Sequence, residues 1–543
     1  MKLKLTGLFL LATILSFGQI IKNQEWEFTN TVTLAGNVVI PTGATSGYVL
    51  TTDASGNATW QNPAVASTGW GILGNTGTVA ATNFVGTTDN VGLSFRTNNV
   101  KSGLIDPTGA VFFGYQAGLD NTATTNTGIG YRSLATNTSA VANTAFGYGS
   151  LRLNTSGYSN TAVGYSALEN NTTGLINTAV GDESQYSNTT GNFNTSVGGL
   201  TLFANTTGQN NTAVGLNGLR YNTTGSSNCS FGNSALTSNT TASSNVAVGS
   251  FALNANTTGA SNVGIGAQSL TSNTTGASNT SVGKAALSSN TTADNNTAVG
   301  FEALGSNTTG TPHTAIGYRA LLGNTTGQRN TATGYSALQA NTTGNSNTAT
   351  GTQALVANTT GSNNAAFGNW ALLSSTTASG NTAVGYSALY ATTGANNTAV
   401  GVNSLLANTT GASNTGVSYS LYSNTTGANN TAIGYGASGL ITTASGNVSV
   451  GVNSLQTNQT GATNTAIGYQ ADVATSSTTG AIALGYSATA KSNQFAISPT
   501  ITSVKFGTLA EYADDAAAGV GGLVAGGLYQ TTSGGSSVVK IKQ

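Results

Sequence analysis

The chain has 543 residues, 15 basic and 15 acidic, and only 6% of them are charged, against roughly 25% in an ordinary soluble domain. Balanced, sparse charge argues against binding to a phosphate backbone, which needs clustered Lys and Arg, and a lone cysteine, Cys229, rules out an intramolecular disulfide framework. Disorder would suit so much Gly, Asn, Thr and Ser, but apolar residues recur in register along most of the length.

At the N-terminus, Lys2 and Lys4 precede the apolar stretch "LTGLFLLATILSFG". A short positive segment, an apolar core and small residues near a cut site predict a secretory signal peptide over residues 1–19, cleaved near Gly18 or Gln19. The run is shorter than the roughly 20 residues a spanning helix needs. The mature chain is therefore expected outside the cell or on its surface, with no transmembrane segment. Residues 20–108 follow, in which "TVTLAGNVVI" and "GYVLTTDASGNATWQ" read as strands joined by Gly and Asp turns. Trp26, Trp60 and Trp70 lie here, and a small β cap on the repeats behind them is expected.

From 109 to 498 the sequence repeats. In "NTAVGYSALENNTTGLINTAVG", residues 160–181, the opening five letters return after seventeen positions. The Gly of "AVG" marks the period from Gly114 to Gly485 in 23 turns, with Ser418 standing in once and three steps shortened to sixteen. Two Gly and several Thr and Asn per unit disfavour helix. A pair of packed helices also needs a longer unit. "TAVGYSAL" is the strand candidate and "NTTG" the corner. The predicted fold is all-β: a parallel β-solenoid of about 23 seventeen-residue coils, with like residues stacked about 4.8 Å apart and small β caps.

Stacking assigns roles to the columns of a typical unit: Asn160, Val163, Gly164, Leu168, Asn171, Thr172 and Gly174 are the expected structural ladders. The Asn171 column is unbroken over fourteen turns, from Asn137 to Asn358, and stacked Asn side chains can hydrogen-bond along such an array. Like charges at that spacing would repel, and only 12 charged residues occur between Asn126 and Gly485. The Leu168 column runs from Leu134 to Leu389 with one exception, Gln185. Strand alternation puts Thr161, Val163 and Tyr165 on one face and Ala162, Gly164 and Ser166 on the other. The small face suits a cramped interior. The larger face leaves an apolar stripe that wants cover, which predicts side-by-side association of chains.

"AIALGYSATAKSNQFAIS", Ala481 to Ser498, resembles the head repeat of trimeric autotransporter adhesins, the YadA-like group. The "NTAVGYSAL" units look like longer-period relatives of it. The resemblance implies a left-handed β-roll, a homotrimer and a role in attachment. The final segment, 499–543, departs from that family: "AEYADDAAAGVGGLVAGGLYQTTSGGSSVVKIKQ" has neither heptads nor amphipathic membrane strands. It and "IPTGATSGYVLTTDASGNATWQNP" look like phage tail-fibre modules, and "SSVVKIKQ" is expected as a last strand in a C-terminal cap.

Catalytic chemistry is scarce. His313 is the only histidine and occupies an Asn position of the repeat, so no His-based triad or multi-histidine metal site is possible within one chain. Asp514 with Asp515, and Asp182 with Glu183, are neighbours expected to point apart. Neither a cofactor nor an enzymatic activity is expected. The function expected is that of a secreted, fibrous bacterial surface protein. It would mediate adhesion to a cell-surface, matrix or glycan ligand, or form an extracellular fibre. A tail-fibre-like receptor binder is the alternative, and an ice-binding solenoid using Thr ladders is less favoured, because Thr172 and Thr173 are adjacent and should face opposite ways.

Overall fold

In the computed structural model, residues 84–501 are described in full, together with the strands Val49–Thr52, Ala58–Gln61, Leu528–Ser533 and Ser536–Ile541. The predicted signal peptide, Trp26, Trp70 and Asp514 with Asp515 lie outside the described residues. The chain divides into two units, Met1–Thr88 and Asp89–Gln543. In the first, Val49–Thr52 and Ala58–Gln61 form an antiparallel pair. The second contains a parallel β-solenoid of about 23 turns with coils of about 17 residues.

The solenoid opens on an antiparallel hairpin. Leu93–Thr97 pairs with Val100–Ile105, which pairs antiparallel with the first repeat strand, Val111–Phe113. From there the ladder is parallel and in register, Thr161 opposite Thr178, Ala162 opposite Ala179, Val163 opposite Val180. It continues coil by coil to Ile482–Leu484 and Phe495–Ile497. "SSVVKIKQ" contributes the strand Ser536–Ile541, paired antiparallel with Leu528–Ser533. No helix among the described residues is long and apolar enough to cross a membrane.

Each strand is shorter than the sequence suggests. "TAVGYSAL" is a strand only over Thr161–Val163. Gly164 ends it at φ +141°, and a Cβ there would lie 2.2 Å from the carbonyl oxygen of Gly181 in the next coil. Glycine is required at this seam both by conformation and by that close approach. Past it the chain coils tightly through left-handed residues, Ser166 at φ 50° and Leu168 at φ 51°, with Ile176 at φ 56° before the next strand. Such conformations cost about 1–2 kcal/mol per residue in a run. They are held because each N–H then meets a carbonyl of an adjacent coil: Ser166 to Tyr148 at 2.8 Å, Leu168 to Ser184 at 3.0 Å, Ile176 to Tyr158 at 3.0 Å. Some donors point to the preceding coil and others to the following one, so every coil is tied on both sides.

The interior is narrow and is filled by the predicted columns. Ala162, Ala167 and Leu168 are fully buried, as are their counterparts along the ladder. Two apolar clusters result, one from Ala110 to Ala179 and one from Leu202 onward. Between them sits the coil in which Gln185 replaces Leu. Its amide donates to the Thr178 carbonyl and to Ser196 Oγ, each at 2.9 Å, while Ser184 bridges to Ser196. A polar plug therefore interrupts the core without breaking the coil.

Candidate functional site

The predicted ladder residues separate into an inner and an outer set. Asn160, Leu168, Asn171 and Gly174 are buried, and Gly164 forms the seam. The two Asn columns work differently. Asn171 donates one amide hydrogen to Asn154 Oδ1 of the preceding coil at 2.8 Å and the other to the Gly174 carbonyl at 2.9 Å. Asn160 donates to the same carbonyl at 2.9 Å, and its Oδ1 accepts the backbone N–H of Asn177 at 2.9 Å. The Gly174 carbonyl thus knits the two columns at the corner. A Cβ on Gly174 would lie 2.4 Å from Asn171 Oδ1 and 2.6 Å from the Gly191 carbonyl oxygen, yet other coils carry Ala242 and Ala293 at this corner, where φ is not left-handed.

Thr172 is half-buried and gives its hydroxyl to the Thr189 carbonyl at 3.0 Å, whereas Thr173 is exposed. The corner Thr ladder is therefore largely spent on holding coils together. A second Thr column lies on the strand itself. Thr161 and Val163 point outward two residues apart, flanking buried Ala162, and the pattern repeats from coil to coil. In two neighbouring coils both outward positions are Thr: Thr331 with Thr333, and Thr348 with Thr350. Cys229 takes the Thr161 position in its coil, half-buried, and burial raises its thiol pKa.

On the outer face, Val163 at the strand's end is 36% exposed and Tyr165 beyond it 53%. The aromatic residue after the marker Gly stacks on its counterpart in the next coil. Ring centroids are 6.0 Å apart for Tyr115 and Tyr131, 4.8 Å for Tyr131 and Tyr148, and 5.1 Å for Tyr148 and Tyr165. A second stack joins Phe301, Tyr318 and Tyr335. The sequence reading placed Tyr165 on the outer face but missed these stacks. The signal for them is an aromatic repeated at the period of the coil. The scarce charges pair across coils too, Arg152 with Glu169 and Arg319 with Glu302, each at 2.7 Å.

His313 sits in the Asn160 column and is almost fully buried. Its Nδ1 accepts the Asn330 N–H at 3.2 Å, as an Asn Oδ1 does in other coils, and its Nε2 lies 3.2 Å from the Asn324 amide nitrogen, beside the Gly327 backbone where an Asn amide would donate. An Nε2–H tautomer copies both halves of the amide. Burial lowers its pKa from 6.5 to about 4. Asp182 and Glu183 take the positions of Tyr165 and Ser166 in their coil. Among the described residues no three His, Cys, Asp or Glu side chains gather as a metal site would require.

No known protein family, curated protein or solved structure matches this chain.

Proposed function

We propose that the chain is a secreted fibrous surface protein that mediates adhesion or builds an extracellular fibre, with several copies, three by the adhesin resemblance, associated side by side. The observation that carries this reading is the outward stripe formed by the Val163 and Tyr165 columns. Ile129, Phe146, Ile265, Phe367 and Ile467 continue the first column, and Tyr131, Tyr335, Tyr386 and Tyr469 the second. The first column is apolar in every coil but those of Thr333 and Thr350, whereas the second is interrupted by Asp182, Gly199, Asn233, Ser250, Ala267, Lys284, Thr352 and Asn369. An outward apolar column sustained along the ladder is the kind of surface that marks an interaction site. A second solenoid of the same pitch can match the stripe coil for coil. A repeated surface also suits attachment through many weak contacts.

Native mass by light scattering on the full chain tests association: a three-chain mass supports the reading, a monomer removes it. Retention of labelled protein on cells or matrix tests adhesion. The outward Thr161 column supports a second reading, ice binding. Among the described residues the hydroxyls of Thr297, Thr314 and Thr331 have no hydrogen-bond partner, and Thr331 and Thr348 are each two residues from a further outward Thr. Thermal hysteresis at micromolar protein would promote it over the first.

A further inference from the structure

At the coil that carries "GTPHTA", Gly310 to Ala315, the surface hydrogen bonding of the ladder opens into a recess. In regular coils the N–H at the Ile176 position donates to a carbonyl of the preceding coil, as Asn295 does to Ala277 at 3.1 Å and Ser346 to Gln328 at 2.8 Å. Pro312 occupies that position and has no N–H to give. One coil on, the N–H of Arg329 has no acceptor among the described residues. Two successive backbone rungs are missing, the acceptor of the first, the Asp294 carbonyl, being taken by the Thr311 hydroxyl. Beneath them Asn296 Oδ1 is buried without a partner, and the Asn296 amide reaches the Gly310 carbonyl only at 3.3 Å.

The recess measures about 280 Å³ and is lined by Asn295, Thr297, Pro312, Thr314, Arg329 and Thr331, together with His313 and Asn330. Arg329 is exposed, and its guanidinium has neither an ion-pair nor a hydrogen-bond partner among the described residues. No carboxylate lines the recess. The nearest in sequence, Asp294, is tied to the Ala277 N–H at 2.6 Å, on the side toward the preceding coil. The site therefore offers a cation, an unused backbone donor, three threonine hydroxyls one coil apart and the Asn295 amide. It lies on the N-terminal side of the strand. The stripe of Val and Tyr begins at the strand's other end, two residues away on the same outward face.

The geometry points to a binding site for a carboxylate-bearing sugar, a uronate unit of an acidic glycan. Its carboxylate meets the Arg329 guanidinium and N–H, and its ring hydroxyls exchange hydrogen bonds with Thr297, Thr314, Thr331 and Asn295. The volume accommodates one such unit, and the coil spacing is close to the length of a pyranose along its chain. The inference deepens the adhesive reading and rests on it for its biological sense.

The test uses the full secreted chain and a linear oligogalacturonate, with a neutral glucose oligomer of equal length as comparison. Calorimetry should show saturable binding of the acidic oligomer, weakened by salt, and at least tenfold weaker binding of the neutral one. Arg329→Gln should reduce the acidic affinity at least tenfold. Pro312→Ser, which supplies a backbone N–H where the ring has none, should reduce it as well, with circular dichroism unchanged in both. Equal affinity for both oligomers, no saturable binding, or unchanged affinity in Arg329→Gln would overturn the site. Cell or matrix retention is measured in parallel. Retention without uronate binding sinks the site alone, and uronate binding without retention sinks the adhesive reading alone.

Discussion

The corners from Asn137 to Asn358 and those from Ser375 to Asn458 follow the same coil but keep the corner Asn to different degrees. In the first stretch every corner Asn bonds its predecessor. In the second, Ser375, Thr392 and Ile441 interrupt the column, leaving Asn358 Oδ1 and Asn424 Oδ1 buried without partners. The other Asn column is kept through both stretches except at one coil, where His313 replaces Asn and Asn296 Oδ1 is left without a partner. Asn381, Asn397, Asn414, Asn430, Asn447 and Asn464 each accept or donate as Asn160 does. The difference follows from what each oxygen satisfies. The Asn160-type Oδ1 accepts a buried backbone N–H, which has no other recourse. The corner Oδ1 accepts another side chain, apart from Asn458, which takes the Gly461 N–H, and both side chains can be replaced together by apolar or shorter groups at little net loss.

The largest expected effect lies in the feature both stretches share. Gly164→Val and Gly451→Val should each destabilise their coils by about 4 kcal/mol or more, through left-handed strain and collision with the next carbonyl. Hydrogen exchange on the strands to either side is the readout, since a repeat array need not unfold in one step. Gly174→Ala should change protection there by less than about 1 kcal/mol, and equal effects at both glycines would remove the distinction between seam and corner.

Next comes the histidine that imitates Asn. Its folded pKa lies below the unfolded value, so between pH 6.5 and about 4 the unfolded chain binds more protons. Its stabilising contribution is complete above pH 6.5 and is lost as pH falls toward 4, roughly 3 kcal/mol in all. Exchange protection around Thr314 should fall over that window in the native chain and stay flat in His313→Asn. A flat native profile would show that His313 does not fill the role of the Asn amide.

Within the unbroken stretch, Asn239→Ala removes donors to Asn222 Oδ1 and the Ala242 carbonyl and the acceptor of the Asn256 amide. A loss of about 2 kcal/mol is expected. Ser375→Asn makes the reverse change, supplying a partner to Asn358 Oδ1, and should raise local stability by about 1 kcal/mol. If it lowers stability, the column tolerates gaps for reasons of packing rather than hydrogen bonding.

Much of this architecture was legible because the repeat averages out local ambiguity. Leu168, Asn160 and Asn171 were picked out as structural ladders, Ala162 was put on the inner face and Val163 on the outer from register alone, and His313 was placed in an Asn column. Strand length was not legible. Leu168 in a left-handed conformation runs against its own propensity, and only the carbonyl of Ser184 in the next coil accounts for it. The division of labour between the two Asn columns depends on which atom meets backbone, which a letter does not encode. The strand-face Thr column was overshadowed by the conspicuous "NTTG" pair. The recess at Pro312 was hidden because its signal is two absent rungs.

One consequence follows from the in-register pairing of Thr161 with Thr178 and its successors. Nearly every stabilising contact joins a unit only to the one before and the one after, so the chain carries no long-distance bookkeeping. Gene duplication or loss of a whole unit would lengthen or shorten the protein by one rung and leave every other contact intact. Reach is then a quantity that inheritance can adjust by counting, without redesigning the parts.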